Sequence, residues 1–526
     1  MTDSWFGEVI HRHARQNADA PAWVEGDRSL THRAYRDRSL ACAAALRQRG
    51  VERLDRVALL SMNRIEFMEV CGACELTGFI AATVNFRLSA HELRTQLQDC
   101  APTALVFEST YAPLIDEIRA DLPSIKAWIC FDDEPRFTCP DWAEPFEAVM
   151  AAAAGQVPDV ASTIDDIAYL VYTSGSTGRP KGCILGSREL TRKAEQHAAD
   201  LGIISTDRVL IVMPLFHVGA RGVASAAQWR GAAVHIHRGF DAGAFIAAVQ
   251  QQRITVAHLA PTMVQMVVEH PSAATADFSS LKAVFYSAAA MPSEVLRKAF
   301  ALFGPILIQA YGQTEGIVSM LPAHQHQPDG TERERARLLS VGQPYPGVEV
   351  RLIDDDGNDV TATGAGEITY RGGAMFRGYW NDSVSTFAAY RDGWIRSGDI
   401  GRFDDAGFLF IVDRKKDMII TGGENVASRE VEEALLRHDS IAECAVVGLP
   451  HPKWGETIHA FVALRELGAG GAIGPNEAEL IEHCRKYLAS YKKPTGITFL
   501  AALPKLPNGK VDKVTLRVQS RSRAES

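Results

Sequence analysis

Residues 171–183 read VYTSGSTGRPKGC and follow directly on the apolar run IAYLVY at 167–172. Four hydroxyls stand within five residues: Thr173, Ser174, Ser176 and Thr177. Gly175, Gly178 and Gly182 surround them, and Lys181 closes the stretch. Glycine lets backbone N–H groups turn toward a ligand, hydroxyls add donors, and the lysine adds a point charge. Together they make an anion cradle suited to phosphates. The pattern is not G-x-x-x-x-G-K-[ST], because Arg179 and Pro180 separate Gly178 from Lys181. Pro180 also removes a donor and opposes an immediate helix. A Ser/Thr/Gly run standing alone reads as a linker. The buried strand before this one, and its lysine, set it apart.

Outward from the loop, short apolar runs alternate with helical patterns. RVALLSM (56–62), TALVFES (103–109) and IKAWICF (125–131) precede the loop. RVLIVM (208–213), AAVHIH (232–237), ITVAHLA (254–260), LKAVFYS (281–287) and LIQAYG (307–312) follow it. Continuous apolar runs separated by helices predict an α/β class with parallel-rich sheets in layers. Ligands bind outside the carboxyl ends of such strands, and several of these ends carry polar or glycine residues. The polar segment 324–337 is expected to be an exposed loop. Beyond it strands dominate, and from residue 414 a smaller α+β unit is predicted. The expected division is a large multi-subdomain N-terminal domain, 1–413, and a small mobile C-terminal domain, 414–526.

The chain has 526 residues, too many for a single core. Its 55 basic and 64 acidic residues leave a net charge of -9, which argues against a nucleic-acid or anionic-membrane surface. Nine cysteines, odd in number and scattered, suit free thiols in a reducing compartment. Cys71 and Cys74 form a C-x-x-C inside FMEVCGACELTGF, which reads as a buried amphipathic helix rather than half of a zinc site. No signal core or membrane-spanning run is visible, so a cytoplasmic location is expected, with no stable membrane insertion and no nucleic-acid partner. A homodimer is left open.

The loop YTSGSTGRPKG resembles that of the adenylate-forming (AMP-binding) superfamily, which includes acyl-CoA synthetases, peptide-synthetase adenylation domains and firefly-type luciferases. Four further motifs occur in that superfamily's order: PLFHVGA (214–220), YGQTE (311–315), WIRSGDIGRFDDAGFLFIVDRKKDMIITGGENV (394–426) and LPKLPNGKVDK (503–513). The resemblance implies ATP-dependent activation of a carboxylic acid as acyl-AMP with release of pyrophosphate, then transfer to a thiol.

Joining an acid to the α-phosphate of ATP brings two anions together. At about 4 Å and an effective dielectric near 20 they repel by about 4 kcal/mol, so cations must converge there. The resemblance makes Lys510 the lysine that bridges acid and phosphate, and Glu315 the Mg²⁺ ligand, with Thr173 beside the metal. It assigns Ser174–Gly178, Lys181, Thr314, Gly312, Gln313, Tyr311 and Ala288 to the nucleotide. Asp399 is expected on the ribose hydroxyls with Arg414 assisting. Lys416 is the expected hinge between the two half-reactions, with Gly422, Gly423 and Glu424 lining the path of a pantetheine arm. For each residue taken alone the plain reading is a turn or a solvated charge.

Two thiol acceptors fit, coenzyme A or a carrier-protein arm. Trp454, in PHPKWGETI, falls where related CoA ligases place an aromatic against the CoA adenine; an ordinary partly buried tryptophan is the alternative. Coenzyme A is the favoured acceptor. Phe216, His217, Val218 and Ala310, with the 287–291 wall, are expected to line the acyl pocket, and His217 resembles a gate beside the reacting carboxylate. A mostly apolar lining predicts a fatty, aromatic or alicyclic acid. The segment SAAAMP (287–292) departs from the relatives' glycines. Arg221 could meet a second carboxylate on a substrate, although solvent or a buried acid elsewhere is the plainer partner. A luciferase-like oxygenase and a carrier-loading enzyme are the competing readings.

Overall fold

Apolar runs bounded by turn residues become the strands of two large sheets. The computed structural model describes residues 5–131, 138–173, 180–287, 289, 291–421, 424–451, 454–465, 474–488, 490–506 and 509–524. Ser174–Gly178, Ala288, Gly422 and Gly423 of the expected site lie outside the described residues, as does the side chain of Glu424. The chain divides into two compact units, Met1–Glu349 with Arg371–Gly393, and Val350–Tyr370 with Trp394–Ser526.

In the first unit, a seven-stranded sheet runs in the order Glu144–Pro145, Ala127–Phe131, Ala104–Glu108, Arg56–Leu60, Ile80–Val84, Ile167–Thr173, Lys181–Gly186. Its strands are parallel except for the last pair. A nine-stranded sheet holds Leu307–Gln313, Ala283–Tyr286, Val256–Leu259, Arg208–Ile211 and Ala233–Ile236 as its parallel centre. Burial explains the sequence pattern: these central strands are covered on both faces, so they show no polar alternation. One core cluster packs Leu210, Leu259, Val284 and Leu307 of the strands with Phe245 and Leu296 of the helices Ala242–Gln252 and Ser293–Phe303.

The second unit contains antiparallel pairs of Gly366–Gly372, Trp394–Phe403 and Leu409–Arg414. It also holds a sheet of Glu424–Val426, Ile419–Thr421, Gly455–Leu464 and Ile441–His451, with Gly496–Phe499 parallel to Gly455–Leu464. The helices Ser428–Leu436, Glu477–Arg485 and Lys513–Ala524 complete an α+β arrangement.

Three local expectations change. The helix Ile65–Thr77 is buried along its whole length, not amphipathic. Its three glutamates are tolerated because each has an arginine: Glu66 meets Arg28 and Arg64, Glu69 meets Arg38, and Glu75 meets Arg221. The segment 324–337 is not all loop. Thr331 and Glu334 form a reciprocal capping box that starts the short helix Glu332–Arg337. Finally, the strands Ile80–Val84, Lys181–Gly186 and Gly316–Leu321 add to the sheets predicted from apolar runs. The described residues contain no helix long and apolar enough to cross a membrane.

Candidate active site

The loop that opened the sequence is the connection of a hairpin. Ile167–Thr173 pairs antiparallel with Lys181–Gly186, and Thr173 stands opposite Lys181. Thr173 Oγ1 donates to the Lys181 carbonyl at 3.5 Å. The hydroxyl and the lysine therefore emerge together at the end of the seven-stranded sheet, one from each strand.

Glu315 comes from the other sheet. Leu307–Gln313 turns into Gly316–Leu321, with Gln313 opposite Gly316, so Thr314 and Glu315 form the two-residue tip. Gly312 is required here by close approach: a Cβ at this position would lie 2.6 Å from the Gly316 carbonyl oxygen and 2.9 Å from Ile317 Cα. Tyr311 is buried beneath the tip, while Gln313, Thr314 and Glu315 are half-buried.

The segment FRGYW, residues 376–380, joins the two. Its backbone runs along Lys181–Gly186: Trp380 N–H donates to the Gly182 carbonyl at 2.7 Å, Arg377 N–H to Ile184 at 2.9 Å, and Ile184 N–H to Gly378 at 2.9 Å. On its other side Phe376 N–H donates to the Glu315 carbonyl at 2.7 Å. Tyr379 makes the decisive side-chain contacts. Its hydroxyl donates to Glu315 Oε1 at 2.6 Å, and the Lys181 ammonium lies 5.2 Å from its ring centroid. Buried Cys183, opposite Tyr379 in an isolated bridge, has its thiol pKa pushed up by burial and then by Glu315. Burial, followed by the Glu315 charge, also raises the Tyr379 pKa, so the phenol stays a donor. Sequence reasoning missed Tyr379. Its only sequence signal is an aromatic set among glycine and polar residues, which by itself predicts a turn.

Around the expected acyl pocket, His217 immediately precedes the helix Val218–Arg230, and the Phe216 and His217 rings lie 4.3 Å apart. Phe216 is buried, packs edge-on to Phe86 at 5.5 Å, and accepts a hydrogen bond from Thr83 Oγ1 through its carbonyl at 3.0 Å. His217 and Val218 are half-buried, and Ala310 is buried opposite Met320. Ser287, where the wall begins, is hydrogen-bonded to His258 Nε2 at 2.9 Å. Arg221 is committed elsewhere: it pairs with Glu75, also binds the Tyr169 hydroxyl at 2.8 Å, and is 5% exposed.

Within the second unit, Asp399 and Arg414 face each other across paired strands, with Arg414 Nε 3.0 Å from Asp399 Oδ1. Asp399 is buried and Arg414 exposed, so the carboxylate is held from the solvent side. Lys510 is an exposed residue with a crowded ammonium end. That desolvation lowers its pKa, Arg414 and Lys416 lower it further, and Asp399 opposes them. Lys416 lies exposed in the single turn Lys415–Asp417. Trp454 is 47% exposed, and its backbone N–H donates to His451 Nδ1 at 3.2 Å. Among the described residues no three His, Cys, Asp or Glu gather as a metal cage, and Cys71 and Cys74 are buried free thiols.

The profile of the AMP-binding enzyme family matches residues 10–380, and that of the AMP-binding enzyme C-terminal domain matches residues 430–510. A feruloyl-CoA synthase of an Amycolatopsis species is 34% identical over 98% of this chain and 99% of its own length. An indoleacetate–CoA ligase of Aromatoleum aromaticum is 34% identical over 97% of each chain. The solved structure of the anthranilate CoA ligase AuaEII in complex with anthranoyl-AMP superposes with a TM-score of 0.88 at 25% identity, over 100% of this chain and 99% of that one. With the hairpin loop, the Glu315 tip and both family profiles in place along one chain, this protein belongs to the AMP-binding enzyme family of adenylate-forming enzymes.

Proposed function

We propose that this protein is an ATP-dependent acid:CoA ligase that activates a hydrophobic carboxylic acid, with aromatic acids foremost. The observation that carries the reading is the meeting of Thr173, Lys181 and Glu315 around Tyr379, at the ends of two sheets. A hydroxyl, a cation and a carboxylate close together suit a triphosphate with its metal. The aromatic acids named for the feruloyl, indoleacetate and anthranilate enzymes support the substrate class.

Lys181 would balance phosphate charge, steadied by the face of Tyr379. Magnesium fits the donor set: Glu315 is a half-buried oxygen ligand, and a hard cation that keeps its waters needs only one or two carboxylates beside phosphate. Glu315 and the Thr173 hydroxyl would hold it, and it would neutralise phosphate charge there. Asp399 would accept hydrogen bonds from the ribose, with Arg414 fixing its carboxylate. Lys510 would bring the charge that stabilises the anionic phosphorus centre as acid and α-phosphate join. Desolvation of its ammonium lowers its pKa first, and repulsion from Arg414 and Lys416 lowers it further; an incoming anion would relieve that repulsion. Lys416 would serve as the pivot between half-reactions, and Trp454 would stack on the CoA adenine. His217 would border the acid, with Phe216, Val218 and Ala310 as the apolar lining.

The test is a panel of aromatic, fatty and alicyclic acids with Mg²⁺ and ATP. Pyrophosphate and AMP release are scored with and without coenzyme A, and with a phosphopantetheinyl carrier as the second acceptor. Acid-dependent pyrophosphate release and CoA thioester formation are expected. Silence with every acid would overturn the reading, and thioester on the carrier alone would move the enzyme to carrier loading.

A further inference from the structure

Residues 213–217 leave the strand Arg208–Ile211 of the nine-stranded sheet and end at the histidine expected beside the acid. Side chains of the other sheet hold their backbone. Asn63 stands three residues beyond the strand Arg56–Leu60 and is 2% exposed. Its Oδ1 accepts from the Leu215 N–H at 2.7 Å, and its Nδ2 donates to the carbonyls of Met213 at 2.9 Å and His237 at 3.0 Å. One N–H and two carbonyls fix which way the amide points. Thr83, in the strand Ile80–Val84, is 3% exposed and donates from Oγ1 to the Phe216 carbonyl at 3.0 Å. Phe86, just past that strand, packs edge-on against the Phe216 ring. The His217 N–H closes the turn on the Pro214 carbonyl at 3.0 Å.

Apolar packing alone would let this segment slide between the sheets. Hydrogen bonds do not, because they are directional and costly to leave unmade in the interior. The position of Thr83 gives these ties a chemical meaning. Thr83 pairs with Val171 in the parallel ladder, and Val171 is two residues before Thr173, where the hairpin proposed to hold phosphate opens. At about 4.8 Å between strands and about 3.3 Å per residue along one, the Thr83 and Thr173 backbones lie roughly 8 Å apart. A single hydrogen bond from Thr83 thus connects the segment beside the acid to the strand adjoining the hairpin. Glu108, ending the strand Ala104–Glu108, reinforces the seam: it pairs with Arg238 at 2.7 Å and accepts from Ser61 Oγ at 2.7 Å and the Met62 N–H at 3.0 Å.

We propose that Thr83 and Asn63 are positioning residues for acid activation: they set the distance between the acid at His217 and the α-phosphate at the hairpin that joins Thr173 to Lys181. This deepens the ligase reading and rests on it. In that step a carboxylate oxygen bonds to the α-phosphorus while the bond to the bridging oxygen of pyrophosphate breaks, and pyrophosphate leaves with the electron pair. The reacting atoms must first stand about 3–3.5 Å apart, and a misplacement of about 1 Å can cost about 10²-fold. Both side chains are buried and act through the backbone of 213–217. Once acid and phosphate are bonded, their spacing is held covalently, so transfer to the thiol depends on these ties far less.

The experiment uses Thr83→Val, which keeps the shape and removes the donor, and Thr83→Ser, which keeps the hydroxyl. Acid-dependent ATP–pyrophosphate exchange is measured with the best acid of the panel, and attack of coenzyme A on supplied acyl-AMP is measured separately. Both assays run well below each variant's unfolding midpoint. Thr83→Val is expected to lose about tenfold or more in kcat/KM for the acid, while the KM for MgATP stays within about twofold. Thr83→Ser should return to within about threefold of the wild type, and transfer to coenzyme A should change by less than about threefold in both variants. Asn63→Ser should show the same signature as Thr83→Val, and it decides the matter where Thr83→Val fails to fold. A role in the fold alone would appear as failure of both to fold, as equal loss of the two half-reactions, or as a MgATP KM that rises with that of the acid. Any of these, or wild-type kinetics in Thr83→Val, overturns the proposal and leaves the ligase reading standing. No pyrophosphate from any acid in the wild type overturns both.

Discussion

The hydroxyl of Tyr379 donates to Glu315 Oε1 at 2.6 Å, although 64 residues separate them in the chain. That bond orients the carboxylate proposed to hold the metal. A hydrogen bond to a charged group contributes about 1.5–3 kcal/mol. Tyr379→Phe keeps the ring under Lys181 and removes only this bond. The KM for MgATP is expected to rise about tenfold, with the KM for the acid little changed. Acid-dependent ATP–pyrophosphate exchange measures both, and an unchanged MgATP KM would detach Tyr379 from the nucleotide.

Lys510 gives a second prediction. If its charge serves only the joining of acid to phosphate, Lys510→Ala should lose adenylate formation by about 10²–10³-fold, the cost of removing one preorganised charge-stabilising group. Attack of coenzyme A on supplied acyl-AMP should be spared. Equal loss of both half-reactions would refute that division of labour.

These two residues also mark what the sequence made legible. Lys510 could be singled out as a candidate because it sits in a contiguous motif, and the central strands were legible because burial on both faces writes them as unbroken apolar runs. Tyr379 has no local mark. Its contact with Glu315 appears only when the strand Lys181–Gly186 and the 313–316 turn each hydrogen-bond to the 376–380 segment. The burial of Lys193 was hidden for the opposite reason. SRELTRKAEQHAAD looks like a solvated charged helix, yet Lys193 is buried against the helix Val218–Arg230. The helix Glu332–Arg337 was missed because its stability comes from a capping box and not from apolar periodicity.

The Arg221–Glu75 pair gives a prediction about stability. Both side chains are nearly inaccessible, at 6% and 2%, and Tyr169 and Ser225 complete the arginine's hydrogen bonds. Removing one partner strands a buried charge, which costs about 3–5 kcal/mol, whereas replacing both with apolar groups is close to neutral. Arg221→Leu should therefore lower the unfolding midpoint sharply, and adding Glu75→Leu should restore most of it. Additive losses in the double variant would show that the pair's worth lies in its hydrogen bonds to Tyr169 and Ser225.

Buried histidines set the acid limit of the fold. Burial lowers His258 to about 3; burial and then the neighbouring Lys193 charge lower His197 to about 3; burial first also lowers His13 and His326, each to about 4. All four are neutral when folded and near 6.5 when unfolded. Their contribution to stability is therefore fully present above pH 6.5. It is lost as the pH falls from there toward 3–4, because the unfolded chain takes up protons that the folded one refuses. Each histidine costs about 1.4 kcal/mol per pH unit once well below 6.5. Burial-raised carboxyls such as Glu69 and Glu432 act in the opposite sense over part of that range. Scanning calorimetry from pH 7.5 to 5 should show the melting temperature falling by several degrees per unit below pH 6.5. A flat profile would mean that these imidazoles reach solvent and titrate in the folded protein.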